Sequence, residues 1–300
     1  MRALVFGAGA IGSLLGGLLS IENEVTIVGR SSHVNAVNRQ GLRMTGLTQR
    51  IAWPTATTVV PTGDFDIVFV TTKAYDTANA VDALRSLWRQ STFVTLQNGL
   101  GNAERIAEHA DRVLAGTTSH GVTFVAPGEI HHAGVGEVTI GPWKSTTVDD
   151  AQAVAAALTA ANLSAAVVSD MRRELWAKVV VNASINPLTA VLRRPNGALV
   201  DHEDLRALLA LVAHEAVAAA NAAGIELDGD ELAHRAADIA AKTAGNRSSM
   251  LQDIERGRRT EIDAITGELL RACRGRIDLP YVRTLDALVR GLERARLEAS

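Results

Sequence analysis

Cysteine is nearly absent from this 300-residue sequence, which contains only Cys273. A single cysteine excludes an internal disulfide and is typical of proteins of the reducing cytoplasm. Because Cys273 falls within a helical pattern, we expect it to be a small packing residue. The sequence also lacks a Cys/His cluster, an H-E-x-x-H motif and a G-x-S-x-G motif. We therefore predict neither a bound metal nor an acyl-enzyme intermediate.

An excess of one charge sign is missing as well. The chain has 30 basic and 33 acidic residues, a formal net charge of -3, and no block rich in lysine or arginine. This balance argues against a nucleic-acid partner. A hydrophobic content of 47% with 21% charged residues is typical of globular proteins, and 300 residues predict two domains.

Two long apolar runs resemble membrane spans. Segment 3–21 has no charged residue, but five glycines interrupt it and it divides into a short strand and a helix. Segment 207–225 carries His214 and Glu215 in its middle, which predicts a buried helix. We expect a cytoplasmic protein without a membrane anchor. The sequence leaves the oligomeric state open, a homodimer included.

The first half of the chain alternates strand patterns with helical patterns. Strands are predicted at 2–6, 24–28, 66–71, 92–96 and 112–116. Helices are predicted at 11–20, 74–88 and 102–109. Such alternation predicts βαβ units and a mostly parallel sheet of Rossmann type. Three short segments separated by glycines predict an antiparallel extension of this sheet, at 120–125, 129–133 and 136–141.

The second half is almost entirely helical in pattern. A helix at 151–161 and a last strand at 164–168 precede it, and helical periodicity begins at Met171. Breaks are expected at Pro187, Pro195-Asn-Gly197, Gly224, Asp228-Gly229, Gly245 and Pro280. We predict an α/β domain at 1–169 and an all-α domain at 170–300.

A glycine motif follows the first predicted strand. Gly7-Ala8-Gly9-Ala10-Ile11-Gly12 matches G-x-G-x-x-G and opens a predicted helix. Gly7 permits the tight turn, Gly9 permits close approach of a pyrophosphate, and Gly12 permits close packing of helix on strand. The helix N-terminus adds amide donors and partial positive charge. The motif predicts a dinucleotide site, although a purely structural glycine turn would share the pattern.

The end of the second strand indicates which dinucleotide binds. An NAD site usually has an acidic residue there, whereas this chain has Arg30-Ser31-Ser32. An arginine with two hydroxyls suits a 2′-phosphate, so we predict NADPH. A solvated surface arginine remains the alternative. Lys73 and Asn98 follow later strands and could reach phosphate and nicotinamide, although either could be a surface loop residue.

Two polar stripes mark the helical half. Lys178, Asn182 and Asn186 fall four residues apart on an otherwise apolar helix and predict the lining of a cleft. Helix capping by the amides and snorkelling by the lysine remain alternatives. Ser249, Asp253, Gly257 and Glu261 repeat the four-residue spacing. Gly257 would leave space beside that face, and Glu261 could partner a lysine.

At these residues the sequence resembles the ketopantoate reductase (2-dehydropantoate 2-reductase) family over essentially its full length. The resemblance rests on Gly7-Ala-Gly-Ala-Ile-Gly12, Gln97-Asn98-Gly99, Gly116-Thr-Thr118, Glu174-Leu-Trp-Ala-Lys178, Val181-Asn-Ala-Ser-Ile-Asn-Pro-Leu-Thr189, Pro195-Asn-Gly197, Ser248-Ser-Met-Leu-Gln-Asp253 and Thr260-Glu-Ile-Asp263. It implies a Rossmann domain, an all-helical domain and an active site in the cleft between them. Gln97 stands where some relatives carry histidine, outside the catalytic positions.

The resemblance also implies residue roles. Lys178 would be the general acid, and Asn98 would lie at the nicotinamide and the substrate. Ketopantoate would bind to Asn98, Lys178, Asn182, Asn186, Asn196 and Ser249. Glu261 would contact the cofactor and orient Lys178, and the chain near Val122 would contact the cofactor through its backbone. Under this hypothesis hydride passes from NADPH to the C2 ketone while Lys178 protonates the oxygen.

Two other functions are compatible with these residues. A related reductase of another small 2-oxo acid would share the ketone and carboxylate contacts. A non-catalytic NADP(H)-responsive regulator would share the fold. The complete set of Lys178, Asn182, Asn186, Ser249 and Glu261 argues against the regulator, because sensing a cofactor does not require it.

Overall fold

The computed structural model describes residues 1–273 and 275–297. The chain forms two compact units. We call the first, residues 1–97 and 102–171, the α/β unit. We call the second the helical unit, and it consists of residues 98–101 and the chain from Arg172 onward. The loop 98–101 therefore belongs to the helical unit, although the chain on both sides of it belongs to the α/β unit.

Twelve strands lie in the described part of the α/β unit. They are β1 (Arg2–Phe6), β2 (Glu24–Val28), β3 (Leu42–Gly46), β4 (Arg50–Ala52), β5 (Thr55–Thr57), β6 (Ile67–Val70), β7 (Thr92–Thr95), β8 (Arg112–Thr118), β9 (Gly121–Ala126), β10 (Glu129–Gly134), β11 (Val138–Lys144) and β12 (Ala165–Val167). Eight of them form one sheet in the order β12-β11-β8-β7-β6-β1-β2-β5. All neighbours in it are parallel except β11, which is antiparallel to β8. The mostly parallel, Rossmann-type sheet expected from the sequence is confirmed.

A second, smaller sheet has the order β4-β3-β10-β9. Strands β9 and β10 pair antiparallel, and β10 also pairs parallel with β3. The expected extension of the main sheet is thus confirmed for β11 and wrong for the other two segments. The β3–β4 hairpin, which the strand patterns missed, supplies their partner.

Five helices cover the main sheet: α1 (Ala10–Leu19), α2 (Ser31–Gln40), α3 (Thr77–Ala83), α4 (Asn102–Ala107) and α5 (Val148–Ala160). The helix predicted at 74–88 is shorter, because only α3 is α-helical and short 3₁₀ turns flank it. Central strands bury Leu4, Phe69 and Phe93 completely between the two helical layers. The apolar run at 3–21 divides into β1 and α1, and a ten-residue helix is too short to cross a membrane.

The helical unit contains the remaining helices of the described residues: α6 (Met171–Leu192), which starts at the last residue of the α/β unit, α7 (Ala198–Asp201), α8 (Glu203–Ala222), α9 (Gly229–Lys242), α10 (Ser249–Glu255), α11 (Thr266–Cys273) and α12 (Pro280–Leu297). A short 3₁₀ turn, Ile262–Ala264, precedes α11. Predicted breaks at Gly224, Asp228 and Pro280 are confirmed. Asp228 caps α9 by accepting a hydrogen bond from the Glu231 amide, 2.8 Å. Pro280 begins α12, where its missing N–H costs little.

The predicted break at Pro187 is wrong, because α6 continues through it to Leu192. Proline inside a helix costs about 3 kcal/mol. Here almost every side of α6 between Val179 and Ala190 is buried, including Pro187 itself. Tertiary packing along this stretch outweighs the local cost.

Helices α6 and α8 are long and apolar enough to cross a membrane, judged by length and composition alone. Most of the apolar window of α6 is buried within the protein, as in a core helix. Helix α8 buries one side, which includes Val212, Ala216 and Ala220, and leaves Leu211 exposed. The buried helix expected at 207–225 is therefore amphipathic in packing.

Candidate active site

The glycine motif forms the turn between β1 and α1. Gly7 has φ +110°, and a Cβ there would lie 2.6 Å from the amide nitrogen of Thr72. A Cβ on Gly12 would overlap the carbonyl oxygen of Gly7. Thr71 Oγ also donates to the Gly7 carbonyl, 3.0 Å. These contacts admit only glycine at positions 7 and 12 and fix the turn against the end of β6.

Gly9 lies on the open side of the same turn. It is exposed, and a Cβ there would meet nothing closer than 3.9 Å. The first intrahelical hydrogen bond of α1 runs from Ser13 to the Gly9 carbonyl, 2.9 Å, so the amides of residues 10–12 precede the helical ladder. Ala8 is buried, and Ala10 and Ile11 are half-buried. The turn presents backbone donors at an accessible helix N-terminus, which fits a pyrophosphate.

Arg30 follows β2 directly and begins α2 as its N-cap residue. Its side chain is exposed, as are Ser31 and Ser32. The strand end before it touches the glycine turn, since the Gly7 and Ala8 amides donate to the Val28 carbonyl at 3.0 and 2.9 Å. An exposed arginine so close to the turn fits a 2′-phosphate on the adjacent ribose.

Lys73 and Val122 lie on other elements of the α/β unit. Lys73 is half-buried after β6, the neighbour of β1, and precedes a 3₁₀ turn at Ala74–Asp76. It therefore lies at the carboxyl edge of the sheet, where ligands of such folds bind. Val122 is half-buried on β9 opposite His132.

Gln97 is a buried residue whose role the sequence did not reveal. Its amide nitrogen donates to the Thr72 carbonyl at 3.0 Å and to the Thr77 hydroxyl at 2.9 Å, and its amide oxygen accepts from the Thr95 hydroxyl at 3.1 Å. Gln97 thus joins the ends of β6 and β7 and the start of α3. The signal in the sequence was a glutamine directly after an apolar strand pattern, because an amide that is buried there needs hydrogen-bond partners.

Three buried histidines join elements of the α/β unit. The Gly128 amide donates to Nδ1 of His33 at 2.9 Å, so Nε2 of His33 carries the proton and donates to the Ser13 hydroxyl at 3.1 Å. This pair joins α1, α2 and the β9–β10 turn. His120 Nδ1 lies 3.2 Å from His132 Nε2, and burial lowers the pKa of all three side chains. Three or more His, Cys, Asp or Glu side chains suited to one metal ion do not cluster within the described ranges.

The polar cluster of the helical unit contains Lys178, Glu261 and Asn98. The Asn98 side-chain amide donates to a carboxylate oxygen of Glu261 at 3.3 Å, and the charge of that carboxylate acts on the Lys178 ammonium group. Gly99 adopts φ +86°, and a Cβ there would lie 2.5 Å from that of Ala264. The Leu100 amide donates to the Ala264 carbonyl at 2.9 Å. Loop 98–101 is thereby fixed on the turn that follows Glu261.

Lys178 lies within α6 and is the ionisable centre of this cluster. Burial lowers its pKa from the ordinary lysine value to about 8, and the opposing effect of Glu261 offsets only part of that change. An ammonium group with such a pKa is mostly protonated at neutral pH and releases its proton more readily than an ordinary lysine. It can therefore act as a general acid.

Asn182 and Asn186 continue the Lys178 side of α6 at four-residue spacing, as predicted. Asn182 is half-buried, and Asn186 is only 8% exposed. Because the neighbouring positions of α6 are apolar and buried, the two amides form a polar stripe beside Lys178.

Asn196 lies between α6 and α7, where its amide is held in one orientation. Its Nδ2 donates to the Thr243 hydroxyl at 2.8 Å, and that hydroxyl donates to the Ile239 carbonyl at 2.6 Å. The carbonyl oxygen of the Asn196 amide is buried and has no hydrogen-bond partner among the residues that the structure describes. A buried acceptor without a partner is costly to the folded state. Thr243 was missed at the sequence level, because a threonine near a helix end has no distinguishing pattern.

The second polar stripe is not continuous. Helix α10 ends at Glu255, Gly257 adopts φ +63°, and Glu261 lies outside α10 as the residue before the 3₁₀ turn. The prediction of one helical face from Ser249 to Glu261 is therefore wrong, because the chain turns at Gly257. Ser249 is exposed at the first position of α10, whereas Ser248 is the buried cap that accepts from the Leu251 amide.

Comparison with known proteins identifies the family of this chain. Residues 3–145 match the family described as ketopantoate reductase PanE/ApbA, and residues 170–293 match its C-terminal domain. The 2-dehydropantoate 2-reductase of Halobacterium salinarum is 40% identical over 98% of this chain and 99% of its own length.

Two solved structures are also similar. The PanE/ApbA family ketopantoate reductase from Ralstonia eutropha superposes with a TM-score of 0.89 at 31% identity, covering 99% of this chain and all of that one. D-mandelate dehydrogenase, solved with NADH and anilino(oxo)acetate, has a TM-score of 0.93 at 25% identity, with 99% of both chains covered. Full-length identity to curated reductases, with both halves of the chain matching the family, establishes that this chain belongs to the ketopantoate reductase family.

Proposed function

We propose that this protein reduces 2-dehydropantoate (ketopantoate) to (R)-pantoate with NADPH, a step toward pantothenate and coenzyme A. The observation that carries the proposal is the cluster in which Asn98 donates to the Glu261 carboxylate, whose charge acts on the buried Lys178 ammonium group. The 2-dehydropantoate 2-reductase from Halobacterium salinarum supports the substrate. We assign cofactor binding to residues 1–169 and substrate binding to residues 170–300.

The residues that would hold NADPH come mainly from the α/β unit. The backbone of residues 7–12 would hold the pyrophosphate, Arg30 would pair with the 2′-phosphate, and Lys73 would add positive charge. The backbone near Val122, with Asn98 and Glu261 of the helical unit, would contact the nicotinamide half. When bound, the reduced nicotinamide supplies the hydride for the C2 carbonyl.

Lys178 would supply the proton. Negative charge develops on the carbonyl oxygen as the ketone is reduced, and an ammonium group stabilises that charge before transferring its proton. With a pKa of about 8, Lys178 is mostly protonated at pH 7. Glu261 would orient the ammonium group, and Asn98 would fix the Glu261 carboxylate through their hydrogen bond.

The remaining polar residues would hold the substrate. Asn182, Asn186 and Asn196 would bind the hydroxyl of ketopantoate and fix the face that is reduced, and Ser249 would bind its carboxylate. The hydrogen bond from the Asn196 amide to the Thr243 hydroxyl supports this assignment, because it holds the amide in one orientation.

A second candidate is the reduction of another small 2-oxo acid with either nicotinamide cofactor. The similarity to D-mandelate dehydrogenase, solved with NADH, favours it. A non-catalytic NADP(H)-responsive regulator would not need the Lys178–Glu261 cluster. We further propose a cytoplasmic location and leave a homodimer as a prediction that analytical ultracentrifugation would check.

The test is a steady-state assay of NADPH absorbance with three substrates: ketopantoate, ketoisovalerate and phenylglyoxylate, the 2-oxo acid that corresponds to mandelate. We expect the highest kcat/KM with ketopantoate and NADPH. A higher value with phenylglyoxylate or with NADH would favour the second candidate. An absence of turnover with all three acids, combined with tight NADPH binding, would favour the regulator.

A further inference from the structure

Arg290 of α12 links two carboxylates of the helical unit through one guanidinium group. Its Nε donates to Asp286, on the same helix, at 2.6 Å. Its Nη2 donates to Asp263 at 2.5 Å. Asp263 is the middle residue of the 3₁₀ turn at 262–264, which begins immediately after Glu261. A single side chain therefore connects α12 to the turn that carries Glu261.

Additional hydrogen bonds fix both ends of this link. The buried Asp286 also accepts from the Thr266 hydroxyl at 2.8 Å, so its carboxylate is fixed relative to the start of α11. The second carboxylate oxygen of Asp263 accepts from Arg259 at 3.0 Å. Planar, charge-assisted contacts of this kind set direction as well as distance.

Asp263 is also charged. Burial raises its pKa, but the hydrogen bonds and charges of Arg290 and Arg259 more than reverse this and hold the pKa below its usual range. Arg271 donates to the backbone carbonyl of the same residue at 2.7 Å. Three cations therefore converge on a single residue of the 3₁₀ turn.

The 3₁₀ turn at 262–264 is hydrogen-bonded to the two segments that carry Glu261 and Asn98. The Ala264 amide donates to the Glu261 carbonyl at 3.0 Å, and the Ala264 carbonyl accepts from Leu100 at 2.9 Å. Asn98, two residues before Leu100, bonds the Glu261 carboxylate. Movement of the 3₁₀ turn would thus displace both Glu261 and Asn98.

We propose that Arg290 is a positioning residue for the reduction, which holds Glu261 beside Lys178 by clamping Asp263 to α12. The inference rests on the proposed function, in which Lys178 is the proton donor. The hydrogen bonds that the Arg290 guanidinium group donates end on Asp263 and Asp286, not on Lys178 or Glu261. Its effect is therefore indirect.

The expected consequence concerns the Lys178 pKa. Glu261 raises that pKa, so a carboxylate that moves away leaves Lys178 with a lower value. Arg290→Gln and Asp263→Asn both break the clamp, and each should lower the Lys178 pKa by about 0.5 unit or more. Arg290→Lys keeps the positive charge with a single donor group and should give a smaller shift.

Nuclear magnetic resonance can measure the Lys178 pKa without an activity assay. The sequence contains only four lysines, Lys73, Lys144, Lys178 and Lys242, so protein labelled with ¹³C at the lysine ε-carbon gives few signals. The Lys178 signal is assigned by its loss in Lys178→Ala, and its titration is followed in each variant. The same variants are then assayed for the pH dependence of kcat.

Arg283→Gln is the matched control, because Arg283 is also on α12 and pairs with an exposed carboxylate, Asp278, at 3.0 Å. The proposal requires a lower Lys178 pKa in Arg290→Gln and Asp263→Asn but not in Arg283→Gln. An unchanged Lys178 pKa in the clamp variants that fold overturns it. If the glutamine and asparagine variants do not fold, Arg290→Lys decides between the same outcomes. A wild-type protein without reductase activity would instead refute the proposed function, since the lysine titration is measured independently.

Discussion

The side chain of Asn98 donates a hydrogen bond to Glu261 at 3.3 Å, although 163 positions separate the two residues in the sequence. Both belong to the helical unit, in which the same carboxylate acts on Lys178. An amide held against a carboxylate leaves the charge of that carboxylate in place and limits its rotation. The arrangement gives Lys178 a defined counter-charge, and the predictions on catalysis start from it.

Replacing Lys178 should remove the proton donor and little else. In Lys178→Ala, kcat with ketopantoate should fall about a hundredfold to ten-thousandfold, the usual contribution of a general acid. NADPH affinity, measured by fluorescence titration, should change modestly. Lys242→Ala removes an exposed lysine at the end of α9 and serves as the control. Near-normal turnover in Lys178→Ala would rule out Lys178 as the acid.

The pH dependence of kcat should follow the Lys178 pKa. The protonated form is the active acid, so kcat should fall as the pH rises through about 8. In Glu261→Gln the negative charge that raises this pKa is lost, and the fall should begin at a lower pH. A pH profile measured at saturating substrate checks both statements. A fall that begins at a higher pH in Glu261→Gln would contradict the assigned role.

Arg30 should determine the choice of cofactor. Arg30→Ala loses a charge-assisted contact worth about 1.5–3 kcal/mol, which corresponds to about a ten- to hundredfold higher KM for NADPH. The KM for NADH, which has no 2′-phosphate, should hardly change. Arg39→Ala, an exposed arginine in the last turn of α2, is the control. An equal rise in KM for both cofactors would show that Arg30 does not bind the 2′-phosphate.

Thr243 should affect substrate choice through Asn196. Thr243→Val removes the hydroxyl that accepts from the Asn196 amide, so the unpaired carbonyl oxygen is no longer held in one orientation. The KM for ketopantoate should rise about fivefold, as expected for one hydrogen bond of about 1 kcal/mol. The KM for ketoisovalerate, which lacks the hydroxyl, should stay within error.

Thr284→Val provides the control for that experiment, because Thr284 also bonds a helix carbonyl, at 2.7 Å, but lies exposed on α12. Equal changes in KM for the two oxo acids in Thr243→Val would mean that Asn196 does not bind the hydroxyl of ketopantoate.

The stability of the α/β unit should decrease in mild acid. Burial lowers the folded-state pKa of His33, His120 and His132, whereas the unfolded chain binds protons at about 6.5. The unfolded state therefore binds more protons below this pH, and the free energy of unfolding should fall as the pH drops below about 6.5. Urea titrations at pH values on both sides of 6.5 check the sign. His109→Gln, at an exposed position of the same unit, should leave the slope unchanged, whereas His33→Gln should reduce it.

Local sequence patterns predicted the parts of the fold in which one interaction dominates. The strand at 2–6, the glycine turn and the helix after it follow from a short apolar run and from steric demand, and the structure confirms them. Pro187 was misjudged because the packing of α6 outweighs a local penalty. Strands β4 and β5 were missed because each has only three residues, and β3 was missed because its partner β10 lies in a distant segment.

The candidate site shows the same division. Motifs identified Lys178, Asn98 and Glu261 one by one, but periodicity placed Glu261 on the face of a helix that ends at Glu255. Gln97, Thr243 and Arg290 act through hydrogen bonds to partners 20 or more positions away. Such partners cannot be read from local spacing, since any buried polar residue needs some partner and the fold decides which one.

The assignment of loop 98–101 to the helical unit limits how this protein can be divided. A fragment that starts at Arg172 would retain the lysine and the glutamate but lack the amide that bonds the latter. A chimera that takes its N-terminal part from a relative would also take that relative's loop 98–101. That loop would then have to pack on the native Ala264, which is the contact of Gly99 here. A functional exchange should therefore transfer residues 98–101 together with the C-terminal segment.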